Sequence, residues 1–119
     1  MIDEKKLAPA REQFKLCSDI FIALGDLVRQ QICLDLAAAG PQGINVVQLS
    51  QKTTLSRPAV SHHLKVLKEA KIVEPIKNGT QIFYRLKLRE SLNSVKNLIT
   101  MIDEILSEEG MDLSNHSDC

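Results

Sequence analysis

Residues 56–70, SRPAVSHHLKVLKEA, bring hydroxyl, guanidinium, imidazole and ammonium groups together in one short segment. Such groups bind phosphates and the base edges in the major groove of DNA. At about 100° per residue, three apolar side chains of the segment fall within one narrow arc of a helix: Val60, Leu64 and Leu67. Three polar side chains point elsewhere: Ser61, His62 and Lys65. The segment therefore predicts a helix with one face docked on a core and another available to nucleic acid.

The residues before this segment predict how it is positioned. Ser56 is a typical N-cap, Arg57 follows it, and the N–H groups of a helix start can bind a phosphate. A shorter predicted helix, NVVQLSQKT, comes first and begins with a capping-box-like Asn45 and Gln48. The residues TLS connect the two helices. Two short helices joined by such a turn, the second of them basic, form a helix-turn-helix.

The segment that follows, IVEPIKNGTQIFYRLK, predicts a β-hairpin. Two β-rich runs flank Asn78-Gly79, which is a strong hairpin signal. Pro75 cannot donate a hydrogen bond to a neighbouring strand, so we expect the first strand at an edge. A hairpin placed directly after a helix-turn-helix makes the winged version of that motif.

Three longer helices complete the predicted fold. The first runs from Pro9, placed in its first turn, to Gly25, with this apolar stripe: Phe14, Cys17, Phe21 and Leu24. The second begins at an Asp26 N-cap and ends at Gly40. The last, RESLNSVKNLITMIDEILSEEG, has a coiled-coil-like seam: Leu92, Val95, Ile99, Ile102 and Leu106. The predicted fold class is mainly α with a small β-hairpin wing, in the order α1-α2-α3-α4-β-β-α5.

Length and composition narrow the possible classes of protein. The 119 residues fit one domain, predicted over residues 1–110, followed by a flexible tail at 111–119. The net charge is zero, but residues 57–89 carry +6 and residues 90–119 carry −6. A concentrated basic segment is typical of a nucleic-acid surface.

We expect a cytoplasmic protein, because the sequence has no membrane span and no signal peptide. It also has no catalytic motif, which argues against an enzyme.

The phrase LSRPAVSHHLKVLKEAKIV…NGTQIFYRL and the order of elements resemble the ArsR/SmtB family of winged-helix repressors. The segment IALGDLVRQQICLDL matches that family's second-helix signature, and the resemblance covers roughly residues 14–106. It implies a homodimer that binds an inverted-repeat operator in double-stranded DNA and is released by an inducer. It also implies base-reading roles for Arg57, Ser61 and His62. The residues that match the family's wing tip are Lys77, Asn78, Gly79 and Thr80.

Dimerisation is predicted from the apolar seam of the last helix. One small domain offers too little core to cover that seam. We expect it to pair with the same helix, or with the first helix near Phe14, of a second chain.

The chain departs from the family members that sense metals. Their third helix commonly carries a Cys-x-Cys-type motif, whereas this chain has INVVQLS. The positions that match their second metal site are Leu88, Glu90, Met101 and Glu104. A pair of glutamates is a poor zinc site, because zinc favours nitrogen and sulfur donors. His62 and His63 diverge by about 100° on a helix and cannot easily share one ion. We therefore expect no metal site and no cofactor.

The cysteines leave an alternative mode of regulation open. Three widely spaced cysteines do not make a disulfide framework. By the resemblance, Cys33 sits where thiol-responsive members keep one of two cysteines, but the last helix lacks the second. A thiol switch would need Cys17 or Cys119 instead, and the tail pair His116 and Cys119 could bind a metal across a dimer. Cys17 is expected to be a buried apolar residue.

A function of another class is also open. A winged helix can serve as a protein-interaction module, but its wing should then be apolar. The predicted wing is instead rich in Lys, Arg, Asn and Thr, which favours DNA.

Overall fold

A computed structural model describes residues 2–110, so the predicted tail at 111–119 lies outside the described residues. Within that range the chain forms five helices and three strands. Their order is α1 (Glu4–Leu24), α2 (Leu27–Ala39), β1 (Ile44–Asn45), α3 (Val46–Ser50), α4 (Arg57–Glu69), β2 (Val73–Asn78), β3 (Gln81–Leu86) and α5 (Arg89–Glu108). The mainly helical fold with a β-hairpin between α4 and α5 is confirmed, and β1 is an addition to it. No helix within residues 2–110 is long and apolar enough to cross a membrane.

The described chain divides into two compact units. Residues 19–91 form one, and residues 2–18 together with 92–110 form the other. Helices α1 and α5 therefore each contribute to both.

Side-chain caps set the starts of the helices in the 19–91 unit, as the sequence predicts. The Asp26 carboxylate accepts a hydrogen bond from the Arg29 N–H at 3.1 Å. Asn45 and Gln48 form a complete capping box at the start of α3. Each cap satisfies N–H groups that have no partner within the helix.

The start and the buried face of α1 differ from the prediction. The helix begins at Glu4, and Pro9 lies inside it rather than in its first turn, so one hydrogen bond to the Lys5 carbonyl is missing. Of the predicted apolar stripe, Cys17 is buried, whereas Phe14 is 48% exposed and Phe21 is 44% exposed. The buried residues of α1 are Ala10, Gln13, Cys17, Ile20 and Ala23. Small side chains occupy much of this buried face. The spacing of large apolar residues in the sequence therefore does not identify it.

The core of the 19–91 unit is aliphatic. Its largest fully buried side chains are Ile32, Leu36, Leu49, Val60, Leu64, Leu67, Ile72 and Val73. Three of these belong to α4, so the apolar face predicted for that helix is confirmed. Full burial of such a side chain contributes roughly 1.5–3 kcal/mol, which fixes α4 on the unit.

The three strands form an antiparallel sheet in the order β1-β3-β2. The strand with Pro75 is at an edge, as predicted. The turn is shifted by one residue from the expectation: Asn78 still pairs with Gln81, and Gly79 with Thr80 makes the two-residue loop. Gly79 has a φ of 66°, the conformation that a glycine at the first loop position provides without strain. The short strand β1 lies beside β3, where Ile44 pairs with Tyr84.

The end of α4 leads into the wing through a left-handed residue. The Ile72 N–H donates to the Leu67 carbonyl, and the Lys71 N–H donates to the Lys68 carbonyl, both at 2.9 Å. This is the Schellman arrangement, in which the residue after the cap has positive φ. Here that residue is Lys71, with a φ of 62°, rather than the usual glycine.

The second unit joins the first part of α1 to most of α5. The Gln13 side-chain amide donates to the Ser94 carbonyl at 2.8 Å, and Leu98 is 3% exposed. Lys6 lies 2.8 Å from Glu108 and 3.5 Å from Glu109. The hydrogen bond to Glu108 and its charge raise the pKa of Lys6.

Candidate nucleic-acid interface

The face of α4 that the sequence assigns to nucleic acid is exposed. Ser61, His62 and Lys65 are all solvent-accessible, while the opposite side of the helix is buried. Ser61 and Lys65 are four residues apart, so they share one surface of the helix, and His62 flanks them. The three side chains offer a hydroxyl, an imidazole and an ammonium group to the same solvent region.

The start of α4 combines a cap with a cation. The Ser56 hydroxyl accepts a hydrogen bond from the Ala59 N–H at 3.3 Å, and Pro58 occupies the first turn, as expected. Arg57 is exposed beside this helix start. The positive end of the helix dipole favours an anion such as a phosphate at this place, and the guanidinium beside it can donate to phosphates or to base edges.

The wing presents a polar tip. Four exposed residues end the hairpin: Lys77, Asn78, Gly79 and Thr80. Farther down the hairpin, Arg85 donates to Glu74 at 2.7 Å and to the Pro41 carbonyl at 3.3 Å. Its charge is thus engaged within the protein, whereas Lys77 at the tip faces solvent.

His63 lies partly buried, as predicted, but it has a partner that the sequence analysis missed. Its Nδ1 atom is 3.2 Å from a terminal nitrogen of Arg29, a residue of α2 that is 13% exposed. A basic residue three positions after the Asp26 cap is a weak signal, because such pairs are common at helix starts.

The predicted dimer residues are distributed unevenly over the 2–18 and 92–110 unit. Ile99 is 60% exposed and Leu92 is 46% exposed, and Phe14 on α1 is exposed as well. The remaining seam residues are half-buried: Val95, Ile102 and Leu106. Leu98 contributes to the core of the unit and was absent from the predicted seam.

Metal donors and thiols show little clustering in the described chain. Residues 2–110 contain no group of three His, Cys, Asp or Glu side chains that could hold an ion. Cys17 is buried, as predicted, and Cys33 is half-buried. Burial raises the pKa of the Cys33 thiol, which lowers its reactivity as a nucleophile. His116 and Cys119 lie outside the described residues.

Comparison with known proteins decides the family. The model of the bacterial regulatory proteins of the arsR family matches residues 42–74, which contain β1, the helix-turn-helix and the start of β2. The transcriptional repressor SdpR of Bacillus subtilis is 32% identical over 92 residues, which cover 75% of this chain and 99% of SdpR. The chain belongs to the ArsR family. An uncharacterized HTH-type regulator of Methanocaldococcus jannaschii is 34% identical over 94 residues, covering 79% of this chain and 99% of that protein.

Solved structures agree with the ArsR assignment. An ArsR-like transcriptional regulator from Rhodococcus sp. RHA1 superposes with a TM-score of 0.65 at 26% identity, covering 76% of this chain and 81% of that one. NolR from Sinorhizobium fredii superposes with a TM-score of 0.60 at 21% identity, covering 76% and 88%, and supports the fold alone. This chain is therefore a winged-helix, DNA-binding transcriptional regulator of the ArsR family and not an enzyme.

Proposed function

We propose that this ArsR-family regulator is a homodimeric repressor that binds an inverted-repeat operator and acts in the cytoplasm. The observation that carries the proposal is α4, which is fixed to its unit by three fully buried side chains and presents hydroxyl, imidazole and ammonium groups to solvent. A rigid helix with such a face fits the major groove. The identity to SdpR, a transcriptional repressor, supports repression rather than activation.

The proposed division of DNA contacts follows the chemistry of each side chain. Ser61, His62 and Arg57 read base edges. Ser56 and Lys65 bind phosphates at the start and along the side of α4. The wing tip adds further backbone contacts through Lys77, Asn78, Gly79 and Thr80. Base contacts select the sequence, and phosphate contacts position the protein on it.

The proposed dimer interface is the exposed apolar surface of α1 and α5. Leu92, Ile99 and Phe14 leave large apolar areas in water, and burying such area is favourable by roughly 25 cal/mol per Å². A second copy of the chain would cover them together with the half-buried Val95, Ile102 and Leu106. Residues 1–110 are proposed to act as one DNA-binding and dimerisation domain, with 111–119 as a tail.

Regulation is proposed to be independent of the metal sites that are usual in the family. The donors available at the matching positions are too few for zinc, and no cluster is found among residues 2–110. A thiol switch at Cys33 is disfavoured by its raised pKa. Release from the operator is proposed to follow binding of an inducer.

Selection of bound duplexes from a random DNA pool tests the proposal. We expect enrichment of one sequence motif that occurs as an inverted repeat, because a two-fold symmetric dimer reads two identical half-sites. Enrichment of an unrepeated motif would contradict the dimer. A pool that stays random would contradict sequence-specific reading and favour a protein-interaction role for the wing.

A further inference from the structure

Arg29 connects three helices within the 19–91 unit. Its Nε donates to the Ala23 carbonyl at 2.8 Å, and one terminal nitrogen donates to the Ile22 carbonyl at 3.3 Å. The other terminal nitrogen lies 3.2 Å from Nδ1 of His63 on α4, and 3.9 Å from the Asp26 carboxylate. One guanidinium group therefore caps the end of α1, belongs to the start of α2 and contacts α4.

The contact with His63 fixes the state of that imidazole. Arginine donates hydrogen bonds and has no acceptor, so Nδ1 of His63 must be the unprotonated nitrogen. The ring is then neutral and carries its proton on Nε2. A protonated ring would place a second N–H and a second positive charge against the guanidinium, and the contact would be lost.

We propose that Arg29 and His63 form a latch that holds α4 in the orientation required for sequence-specific DNA binding. This inference rests on the proposed base-reading role of α4. His63 directly follows His62 and is two residues from Ser61, on the side of the helix between its buried and exposed faces. The three buried apolar residues hold α4 on the unit, and tethering His63 to the ends of α1 and α2 adds a directional hydrogen bond next to Ser61 and His62 that restricts the direction of these two side chains.

The latch makes operator binding sensitive to pH. Arg29 on α2 and Asp26, the N-cap of α2, face His63, and His62 lies beside it on α4 with ring centres 5.8 Å apart. The hydrogen bond from the backbone N–H of Arg29 lowers the pKa of Asp26, so its carboxylate stays charged in mildly acidic solution. Histidine side chains take up a proton between about pH 8 and pH 5. A proton on Nδ1 of His63 would remove the acceptor of this hydrogen bond and break the latch while Asp26 stays charged.

Four proteins test the latch: the wild type and the variants His63→Ala, His63→Asn and Arg29→Lys. An asparagine places an uncharged acceptor close to the position of Nδ1, so His63→Asn should keep wild-type operator affinity at about pH 8. His63→Ala should lower that affinity by about tenfold, because α4 loses the hydrogen bond that directs Ser61 and His62 toward the DNA bases. Arg29→Lys should also lower it, since an ammonium group cannot contact three helices at once. Affinity for random-sequence DNA should change little in all three.

The pH profile separates the latch from a merely structural role. Between about pH 8 and pH 5.5, the wild type should lose operator affinity by about tenfold relative to His63→Asn, which has no proton to gain at this position. His62 is present in both proteins, so any contribution of that side chain is common to the two profiles. Equal pH profiles, or an affinity of His63→Asn as low as that of His63→Ala, would overturn the latch.

A measurement on the wild type covers the case in which a variant does not fold. Nitrogen NMR of the His63 ring at about pH 8 should show a proton on Nε2 and none on Nδ1. A proton on Nδ1 would overturn the contact itself. If the wild type failed to distinguish operator from random DNA, both the proposed function and the latch would be contradicted. If the wild type and His63→Ala distinguished the two DNAs equally well, only the latch would be contradicted.

Discussion

Helices α4 and α5 are both amphipathic, but their exposed faces differ in chemistry. Outside its buried side, α4 presents Ser61, His62 and Lys65, whereas α5 presents Leu92 and Ile99. Polar and charged groups are stable in water and bind phosphates and base edges without a second protein surface. Exposed leucine and isoleucine are stabilised when another apolar surface covers them. The two helices thus fit the two partners proposed above, DNA for α4 and a second copy of the chain for α5.

The net charge of the segments that contain the two helices also differs. Residues 57–89, which include α4 and the wing, carry +6, whereas residues 90–119, which include most of α5, carry −6. The basic part attracts the DNA backbone, and the acidic part is repelled by it. Four changes test this comparison, and they are given from the largest expected effect to the smallest.

Ile99→Glu should have the largest effect. It would place a carboxylate in the centre of the proposed α5 interface, where burial without a partner raises the dimer dissociation constant by roughly a hundredfold or more. Sedimentation should show monomers. The circular dichroism spectrum should show an unchanged helical content. Asn97→Glu, an exposed change on another side of α5, is the matched control and should remain dimeric. A folded Ile99→Glu protein that stays dimeric would contradict the proposal that the exposed apolar face of α5 is the dimer interface.

Ser61→Ala and His62→Ala should come next. Each should cost about 1–3 kcal/mol of operator binding per half-site, because a base contact is lost, and affinity for random-sequence DNA should fall much less. Fluorescence anisotropy with operator and random duplexes measures both. The variants should sediment as the wild type does. Equal losses on the two DNAs would show that this face of α4 does not read sequence.

Lys77→Ala in the wing should have a smaller and less selective effect. Loss of one phosphate contact should weaken binding to all sequences alike and reduce the slope of log affinity against log salt by about one per lost contact. A salt titration on operator and random DNA measures that slope. Thr80→Ala, an uncharged change at the same tip, is the control and should leave the slope unaltered. A loss confined to the operator would assign base reading to the wing as well.

Oxidation should have the smallest effect. Cys33 lies on α2 and therefore belongs to neither α4 nor α5. Burial raises the pKa of its thiol, so little reactive thiolate forms near neutral pH. Peroxide or persulfide treatment should leave operator affinity intact, and Cys33→Ser should bind as the wild type does. Reversible loss of binding in the wild type but not in Cys33→Ser would identify a thiol switch.

The sequence predicted those parts of the fold that depend on local patterns. Ser56, Asn45 and Asp26 are found as helix caps, because a side-chain oxygen at such a position satisfies free N–H groups whatever lies beyond. The buried face of α4 follows from its three large apolar residues, and the edge position of β2 follows from Pro75.

Features set by non-local packing were missed. The buried face of α1 relies on Ala10 and Ala23, which have no strong apolar signal. Strand β1 is only two residues long and exists because β3 lies beside it. At Gly43, a β-carbon would lie 2.7 Å from the Tyr84 carbonyl oxygen, a close approach that no local pattern predicts. The contact between Arg29 and His63 joins positions 34 residues apart, beyond the reach of helical spacing.

Hydroxyl-radical footprinting of the wild type on its selected operator tests the central claim most directly. We expect two protected half-sites of inverted sequence, with centres about one helical turn of DNA apart or a multiple of it. In both half-sites, Ser61→Ala and His62→Ala should each remove the requirement for the base that the replaced side chain contacts. A single protected segment would contradict pairing through α5. Two segments whose base requirements are unaltered by both substitutions would contradict reading through α4.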